Sequence, residues 1–435
     1  MRINPFIIYK VVLCLILLIN ADIANALIKI DITQGQIDPM PIAITEFGGI
    51  DTDIGNKILK TVAGDLEGSG LFKLINKDAF LEHITFIQQP NFSNWRKVNA
   101  TVLVTGQIEQ ISGQEIKILV KIWDPYGQNL IEGLSYKVKR EGWSRAAHKI
   151  ADKIYTNLTG EQGYFDSRVV FIMESGPNKR KVKKLAIMDQ DGGNVQILSN
   201  GQKMALTPRF DPSSHRIAYL SYTNNIPQVF LYDLSTGGKK LVGSFKGMSF
   251  APRFSPDGNY LIMSIARNGT TSIHEINLKS STMKLLTGIN GTISTSPSYS
   301  QDGRYIVFNS DRNGKRQLYT MNRDGSNVHK ISNGVGSYTA PVWSPRGDFI
   351  AFTKMHNGNF YIGVMRPDGT SERMLTTSWL DEGPTWSPNG RVIMFSREAK
   401  NGQNYIHKVD ITGYNDRRVK TPGMASDPAW SKLLD

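Results

Sequence analysis

The second half of the chain is built from short apolar runs that follow one another at a regular interval. Each run comes a few residues after a motif of proline, any residue, an aromatic residue and Ser or Asp. The motif begins at Pro208, Pro252, Pro297, Pro341, Pro384 and Pro428. These copies are about 44 residues apart on average, and a period near 40–45 residues with several strands per repeat is typical of β-propeller blades.

Each repeat predicts four strands. The apolar runs at residues 217–220, 261–263, 306–308, 350–352 and 392–395 predict the second strand of a blade, buried on both faces. A third strand, as at residues 317–321, is often followed by Asp-Gly, which suits a tight hairpin. The fourth, as at residues 328–331, is short and polar, as expected of an exposed edge.

One more apolar run, at residues 169–172, has no motif in front of it. The motif copy at Pro428, almost at the C-terminus, can supply the missing first strand and close the ring. We therefore predict an all-β six-bladed β-propeller over residues 161–435, closed by the C-terminal strand.

Residues 27–160 are patterned differently. Strands are predicted at residues 27–32, 42–47 and 71–75, and an antiparallel meander at 101–111, 115–123 and 130–138. Apolar residues at helical spacing predict one helix over residues 54–66 and another from about Ser144 to Gly160. This mixture predicts a small α+β domain in front of the propeller.

The first 26 residues are typical of a cleaved signal peptide. Arg2 and Lys10 flank a basic start, residues 11–19 are apolar, and Ala24-Asn25-Ala26 fits the small-x-small cleavage pattern. Lipidation at Cys14 is the alternative, disfavoured because Leu13 is not small. No later apolar stretch is long enough to span a membrane, so we expect a mature chain from Leu27 that is not membrane-spanning.

The net charge of +13 lies almost entirely in the second half. Residues 27–160 carry 15 basic and 15 acidic side chains, whereas residues 161–435 carry 34 and 22. The charges are scattered through turns, and an exported chain does not meet the genome, so we expect no nucleic-acid partner. A solvated basic surface and attraction to an acidic partner or an anionic envelope surface stay open.

Several segments resemble the TolB family over essentially the whole mature chain. They are Phe254-Ser255-Pro256-Asp257-Gly258, the run at residues 308–314, the junction at residues 158–165, and the start at residues 28–32 with Gly35 and residues 41–44. Two copies of the propeller motif depart from the family pattern, at Ser213-Ser214 and at Gln301; both changes lie in turns.

The resemblance implies a periplasmic, protein-binding scaffold of the Tol-Pal system. Family members bind the peptidoglycan-associated lipoprotein Pal at the propeller mouth and the inner-membrane-anchored TolA through the mature N-terminal segment. They serve outer-membrane integrity and constriction at cell division, and other outer-membrane proteins stay open as further partners.

The residues in front of each motif proline line one end of the propeller channel and are the predicted Pal-binding mouth. They are Ala205, Leu206, Met248, Ser249, Phe250, Ser294, Thr295, Tyr338, Thr339, Asp381, Glu382, Ser426 and Asp427. The resemblance implies contacts at positions matching Met248 and Thr295. Ordinary loop packing is the alternative for any one of them.

The predicted TolA-binding segment alternates apolar and polar positions. It consists of Leu27, Ile28, Lys29, Ile30, Asp31 and Ile32. Such a segment can bind a partner by strand addition. Alternatively, it is a permanent strand of the first domain.

The sequence lacks the common catalytic motifs for which we searched. The sequence contains no Gly-x-Ser-x-Gly and no His-Glu-x-x-His, and its seven histidines are dispersed. Asp189-x-Asp191-Gly192-x-Asn194 resembles a calcium loop but lacks the distal Glu, so a hairpin turn is the preferred interpretation. We expect no enzyme, no cofactor and no metal. A propeller hydrolase or lyase and a polyanion binder are the competing function classes.

Overall fold

The computed structural model describes residues 38–177, 180–243 and 247–434. The predicted signal peptide and the predicted strand at residues 27–32 lie outside these residues. Within the described chain, no helix is long and apolar enough to cross a membrane.

The N-terminal domain is built on one five-stranded sheet. Its strands are β1 (Met40–Gly49), β2 (Phe72–Leu74), β3 (Val102–Gln110), β4 (Glu115–Asp124) and β5 (Asn129–Lys139), in the order β2-β1-β3-β4-β5. The β1 strand pairs in parallel with β2 and β3, whereas β3, β4 and β5 form the predicted antiparallel meander.

Both predicted long helices are present, and they cover one face of this sheet. They are α1 (Thr52–Gly68) and α3 (Trp143–Thr159), and their apolar residues, including Ile58, Val62 and Ile154, are fully buried against the sheet. The Asp51 side chain caps α1 by accepting a hydrogen bond from the Ile54 amide at 3.0 Å. Gly160 ends α3 in the left-handed conformation, with φ of 72°.

The helix α2 (Phe92–Lys97) was not predicted, because six residues are too few to show a helical period. Its Phe92 and Trp95 pack with Trp123 in a smaller core on the other face of the sheet. Two short 3₁₀ turns complete the domain, at Lys77–Ala79 and Arg140–Gly142.

Six four-stranded sheets follow, which confirms the predicted propeller. The first five are each made of consecutive strands: β9 (Leu206–Phe210), β10 (Arg216–Thr223), β11 (Ile226–Asp233) and β12 (Lys239–Leu241); β13 (Met248–Phe254), β14 (Tyr260–Arg267), β15 (Thr270–Asn277) and β16 (Met283–Leu285); β17 (Ser294–Tyr299), β18 (Tyr305–Ser310), β19 (Gln317–Asn322) and β20 (His329–Lys330); β21 (Ser337–Trp343), β22 (Ile350–His356), β23 (Asn359–Met365) and β24 (Arg373–Met374); β25 (Asp381–Trp386), β26 (Val392–Glu398), β27 (Asn404–Asp410) and β28 (Arg417–Arg418).

The sixth sheet closes the ring in the predicted manner. It joins β6 (Ser167–Ser175), β7 (Val182–Asp189) and β8 (Gln196–Ile197) to the C-terminal strand β29 (Met424–Leu433). The pairs Ser426 with Ile172 and Trp430 with Val169 set the register between β29 and β6. We call this sheet the closing sheet.

The cores between neighbouring sheets are apolar, and the second strands supply their largest side chains. Phe308, Phe352 and Phe395 are fully buried there. The N-terminal domain packs on the closing sheet through one continuous core that includes Tyr155, Tyr164 and Trp430. The two domains therefore share buried apolar surface at the seam of the ring.

Candidate protein-binding surface

Every inner strand of the propeller is interrupted in front of its motif proline. The residue before each proline has a positive φ: Thr207 (45°), Ala251 (50°), Ser296 (53°), Ala340 (47°), Gly383 (69°) and Asp427 (51°). The strand pairing skips at the same place in all six sheets. Proline cannot donate a hydrogen bond to a neighbouring strand, so it is tolerated at such a bulge. Each inner strand is thereby divided into an entrance segment and a channel segment.

The entrance segments alternate between buried and open positions. The third residue before each proline is buried in all six sheets: Ala205, Ser249, Ser294, Tyr338, Asp381 and Ala425. The second residue is at least partly open in five of them: Leu206, Phe250, Thr295, Thr339 and Glu382. Ser426, in the closing sheet, is the buried exception. The alternation is the normal period of an extended strand.

A second, outer set of positions lies four residues before each proline. It consists of Met204, Met248, Ile293, Ser337, Leu380 and Met424, five of which are apolar. Met204 and Met248 are 40% and 49% exposed. We call these six positions the outer ring. Of these six positions, the predicted mouth included Met248 only. The other five could have been found from their constant spacing to the motif proline.

The buried members of the predicted mouth are held inside their own sheets. The Arg397 guanidinium donates to both carboxylate oxygens of Asp381, at 2.6 and 2.8 Å. The Tyr338 hydroxyl donates to Glu372 at 2.8 Å, and Ser294 donates to the Ser310 hydroxyl at 3.0 Å. The structure therefore separates Asp381, inside its sheet, from the exposed Glu382 beside it.

The mouth is acidic where the fifth sheet meets the closing sheet. Although Glu382 is exposed at the entrance, partial desolvation by the surrounding mouth raises its pKa, and the neighbouring carboxylates Asp427 and Glu398 raise it further. The Asp427 carboxylate accepts a hydrogen bond from the Thr207 amide at 3.3 Å, across to the next sheet. This side of the mouth would favour a partner that brings a hydrogen-bond donor or a positive charge.

Glu174 lies beside Met424 of the outer ring and ties the closing sheet together. Ser426 donates to its carboxylate at 2.6 Å, and Lys181 and Lys183 approach within 3.1 and 3.0 Å. Burial opposes ionisation of Glu174, but Ser426 and the two lysines outweigh it and lower the pKa to about 2. The carboxylate is therefore ionised at neutral pH.

The far end of the channel includes basic side chains. A cavity of about 520 Å³ is lined there by the channel segments of all six inner strands, with Arg209 and Arg253 at the same motif position in adjacent sheets. Burial lowers the pKa of both arginines, and Arg209 lowers that of Arg253 further by repulsion. The channel thus carries carboxylates at its entrance and two arginines farther in, one of which feels the charge of the entrance residue Asp427.

Two family models match the chain. The model described as TolB beta propeller domain matches residues 155–434, and the model described as TolB amino-terminal domain matches residues 28–131. Two proteins named Tol-Pal system protein TolB, from Rickettsia bellii strains OSU 85-389 and RML369-C, are each 48% identical to this chain over 443 aligned residues. Each alignment covers 98% of this chain and the whole of the relative.

Solved structures agree. The crystal structure of TolB from Acinetobacter baumannii superposes with a TM-score of 0.81 at 27% identity, covering 93% of this chain and 99% of that one. A hydrazine synthase from Kuenenia stuttgartiensis also superposes, with a TM-score of 0.51 at 14% identity over 61% of this chain and 47% of that one, which shows a shared fold alone. Both family models, the Rickettsia relatives and the whole-chain superposition agree that this chain belongs to the TolB family of the Tol-Pal system.

Proposed function

We propose that this chain is a non-enzymatic periplasmic scaffold that binds Pal at the propeller mouth and TolA through residues 27–32. In this role it links the outer membrane to the inner membrane and supports outer-membrane integrity and constriction at cell division. The family membership supports a place in the Tol-Pal system. The two binding sites are our proposal.

The outer ring is the observation that carries the Pal site. It places five apolar side chains around one end of the channel, above a layer of partly open positions such as Phe250 and Thr295. Flexible methionines, including the 49% exposed Met248, adapt their shape to a partner surface. Apolar anchors surrounded by polar groups such as Glu382 are typical of a protein-binding patch.

The support for the TolA site is an available sheet edge. Strand β2 (Phe72–Leu74) lies at one edge of the N-terminal sheet and pairs only with β1 among the described strands. A segment with the alternating apolar and polar sequence of residues 27–32 can pair, once extended, with an edge of this kind or with a strand of another protein. A segment that exchanges between the two would be free to bind TolA when it leaves the sheet.

Calorimetric titration of residues 27–435 with the soluble Pal domain of the same organism tests the first site. We expect tight binding that Met248→Ala weakens by about tenfold, the loss of one well-packed anchor. Met283→Ala is the matched control, because Met283 is 48% exposed in the same sheet but lies on its outermost strand. Equal affinities of the two variants would move the Pal site away from the outer ring.

A second titration, with a soluble form of TolA, tests the other site. Deletion of residues 27–32 should abolish TolA binding and leave a folded protein. Retained TolA binding would overturn the assignment. A salt series separates both sites from simple polyanion attraction, because counterion release would make the affinity fall steeply with salt and ignore the Met248 substitution.

A further inference from the structure

The hairpin between β7 and β8 of the closing sheet lies against helix α3 of the N-terminal domain. Its residues, Asp189 to Asn194, carry the spacing that resembles a calcium loop. The loop is a hairpin turn, as expected: the Gly192 amide donates to the Asp189 carbonyl at 3.0 Å, and the Asp189 amide to the Gly193 carbonyl at 2.9 Å. The structure adds a side chain that the sequence could not place there, His148 of α3.

Three ligand atoms converge at this point. One side-chain nitrogen or oxygen from each of His148, Asp189 and Asp191 lies within 4.8 Å of the other two. The Nε2 atom of His148 is 3.6 Å from the nearest Asp189 oxygen, which is too far for a hydrogen bond. The side chain is only 3% exposed, and Nε2 has no hydrogen-bond partner among the described residues. Apart from this 3.6 Å contact with Asp189, Nε2 is unsatisfied, and an ion placed between the ring nitrogen and the carboxylate would satisfy both groups.

The other ring nitrogen of His148 is held firmly. Nδ1 lies 2.6 Å from the Asp65 carboxylate, which also accepts a hydrogen bond from Gln190 at 2.7 Å. Gln190 in turn accepts one from the buried Lys408 at 3.0 Å. A carboxylate on one nitrogen of a histidine orients the ring and makes the other nitrogen a better metal ligand, as in many zinc sites.

The two carboxylates are oriented as well. One oxygen of Asp189 accepts hydrogen bonds from Asn194 at 2.6 Å and from Ser144 at 3.2 Å. One oxygen of Asp191 accepts a hydrogen bond from the Gly193 amide at 2.8 Å. Among the described residues, the second oxygen of each carboxylate accepts no hydrogen bond. A cavity of about 500 Å³, lined by His148 and Asp189, offers an ion a path to this point.

We propose that this junction binds one Zn²⁺ ion through Nε2 of His148 and the carboxylates of Asp189 and Asp191, with water as the fourth ligand. An imidazole with two carboxylates suits zinc, whereas calcium prefers six to eight oxygen ligands. Because His148 belongs to the N-terminal domain and the aspartates to the closing sheet, the ion joins the two domains at the seam of the ring. The proposal is independent of the proposed function.

The test is a calorimetric titration of untagged, chelator-treated residues 27–435 with zinc chloride. We expect one ion per chain, and binding more than about tenfold weaker in His148→Gln and Asp191→Asn. The matched control is Asp324→Asn. Asp324 occupies the same position of the equivalent hairpin between β19 and β20, where it accepts from the Ser326 amide at 2.9 Å, and it is absent from the His148 cluster.

Two further readouts keep the test decisive if His148→Gln fails to fold. Zinc should raise the melting temperature of the unmodified protein and of Asp324→Asn, but not that of Asp191→Asn. Co²⁺ in place of zinc should give the visible spectrum of a four-coordinate ion. Absence of zinc binding overturns the proposal, and so does equal binding by Asp191→Asn and Asp324→Asn, which would indicate an adventitious ion only.

Discussion

The closing sheet differs from the other five sheets of the propeller in how its strands meet. Each of the five is made of strands that follow one another along the chain, so its pairing is local. The closing sheet pairs β29 with β6, and its contacts include one between Ser426 and Glu174, 252 residues apart. Contacts of that separation form late, because the chain must first lose the entropy of a long loop. The ring is therefore completed at one seam.

Among the described residues, a tryptophan at this seam makes contacts that its counterpart in the preceding sheet does not make. The Trp430 indole donates to the Ser167 hydroxyl at 2.8 Å and packs edge-on against Tyr164 of the domain junction, with ring centres 5.8 Å apart. Trp386 fills the same motif position in the preceding sheet, and its indole donates to the Val342 carbonyl at 3.0 Å. The first tryptophan thus joins the ring ends and the N-terminal domain, whereas the second joins two consecutive sheets.

Removal of β29 should have the largest effect on the stability of the closing sheet. Deletion of residues 424–434 should lower the free energy of unfolding by more than about 5 kcal/mol, which approaches the whole stability of a domain, because the inner strand of the closing sheet is lost. Thermal unfolding followed by circular dichroism measures the loss. A synthetic peptide of residues 423–435 added in trans should restore part of it, and a scrambled peptide should not. A deletion variant that melts like the intact chain would show that the seam is dispensable.

Two tryptophan substitutions compare the stability contributed by side chains at the seam with that contributed in the preceding sheet. Removing a buried tryptophan costs roughly 3–5 kcal/mol, so both Trp430→Ala and Trp386→Ala should destabilise the protein. We expect Trp430→Ala at the upper end of that range, since it opens a core shared by both domains. Chemical denaturation of the two variants side by side provides the measurement. A larger loss for Trp386→Ala would contradict the special role of the seam.

The smallest effect concerns the charge at the seam. Glu174→Gln should cost about 1–3 kcal/mol at neutral pH, because the two lysines lose their carboxylate. The pKa of Glu174 is lowered from 4.5 to about 2, so its contribution is fully present above about pH 4.5 and is lost as the pH falls towards 2. The stability difference between the two proteins should shrink over that interval. A difference that stays constant between pH 7 and 2 would contradict the assignment.

The propeller could be predicted from the sequence in considerable detail. The number of blades, the second strands and the closure by the C-terminal segment all followed from a motif repeated about every 44 residues. Both long helices and the meander of the first domain followed from their periods. The short helix α2 did not, and the parallel pairing of β1 with β2 and β3 had no local signal.

The candidate mouth was predicted as a set of loops, but the tertiary structure decided which of its side chains are open. Asp381 and Glu382 are neighbours in the sequence, yet the first is buried against Arg397 and the second is exposed. Their difference depends on the strand bulge, which the motif proline marks, and on the neighbouring strand that covers one face, which residue types alone do not show. The outer ring was within reach of the sequence, since its spacing from the proline is constant.

Local periodicity, turn chemistry and a repeated motif were sufficient to predict most strands, the turns and the family from the sequence. Only the tertiary structure brought His148 next to Asp189 and Asp191, and Glu174 next to Ser426. Such contacts depend on how the two domains pack together and on how the two ends of the propeller pair. The physical reason is that backbone hydrogen bonds and side-chain alternation act over a few residues, whereas packing joins surfaces that are distant in the chain.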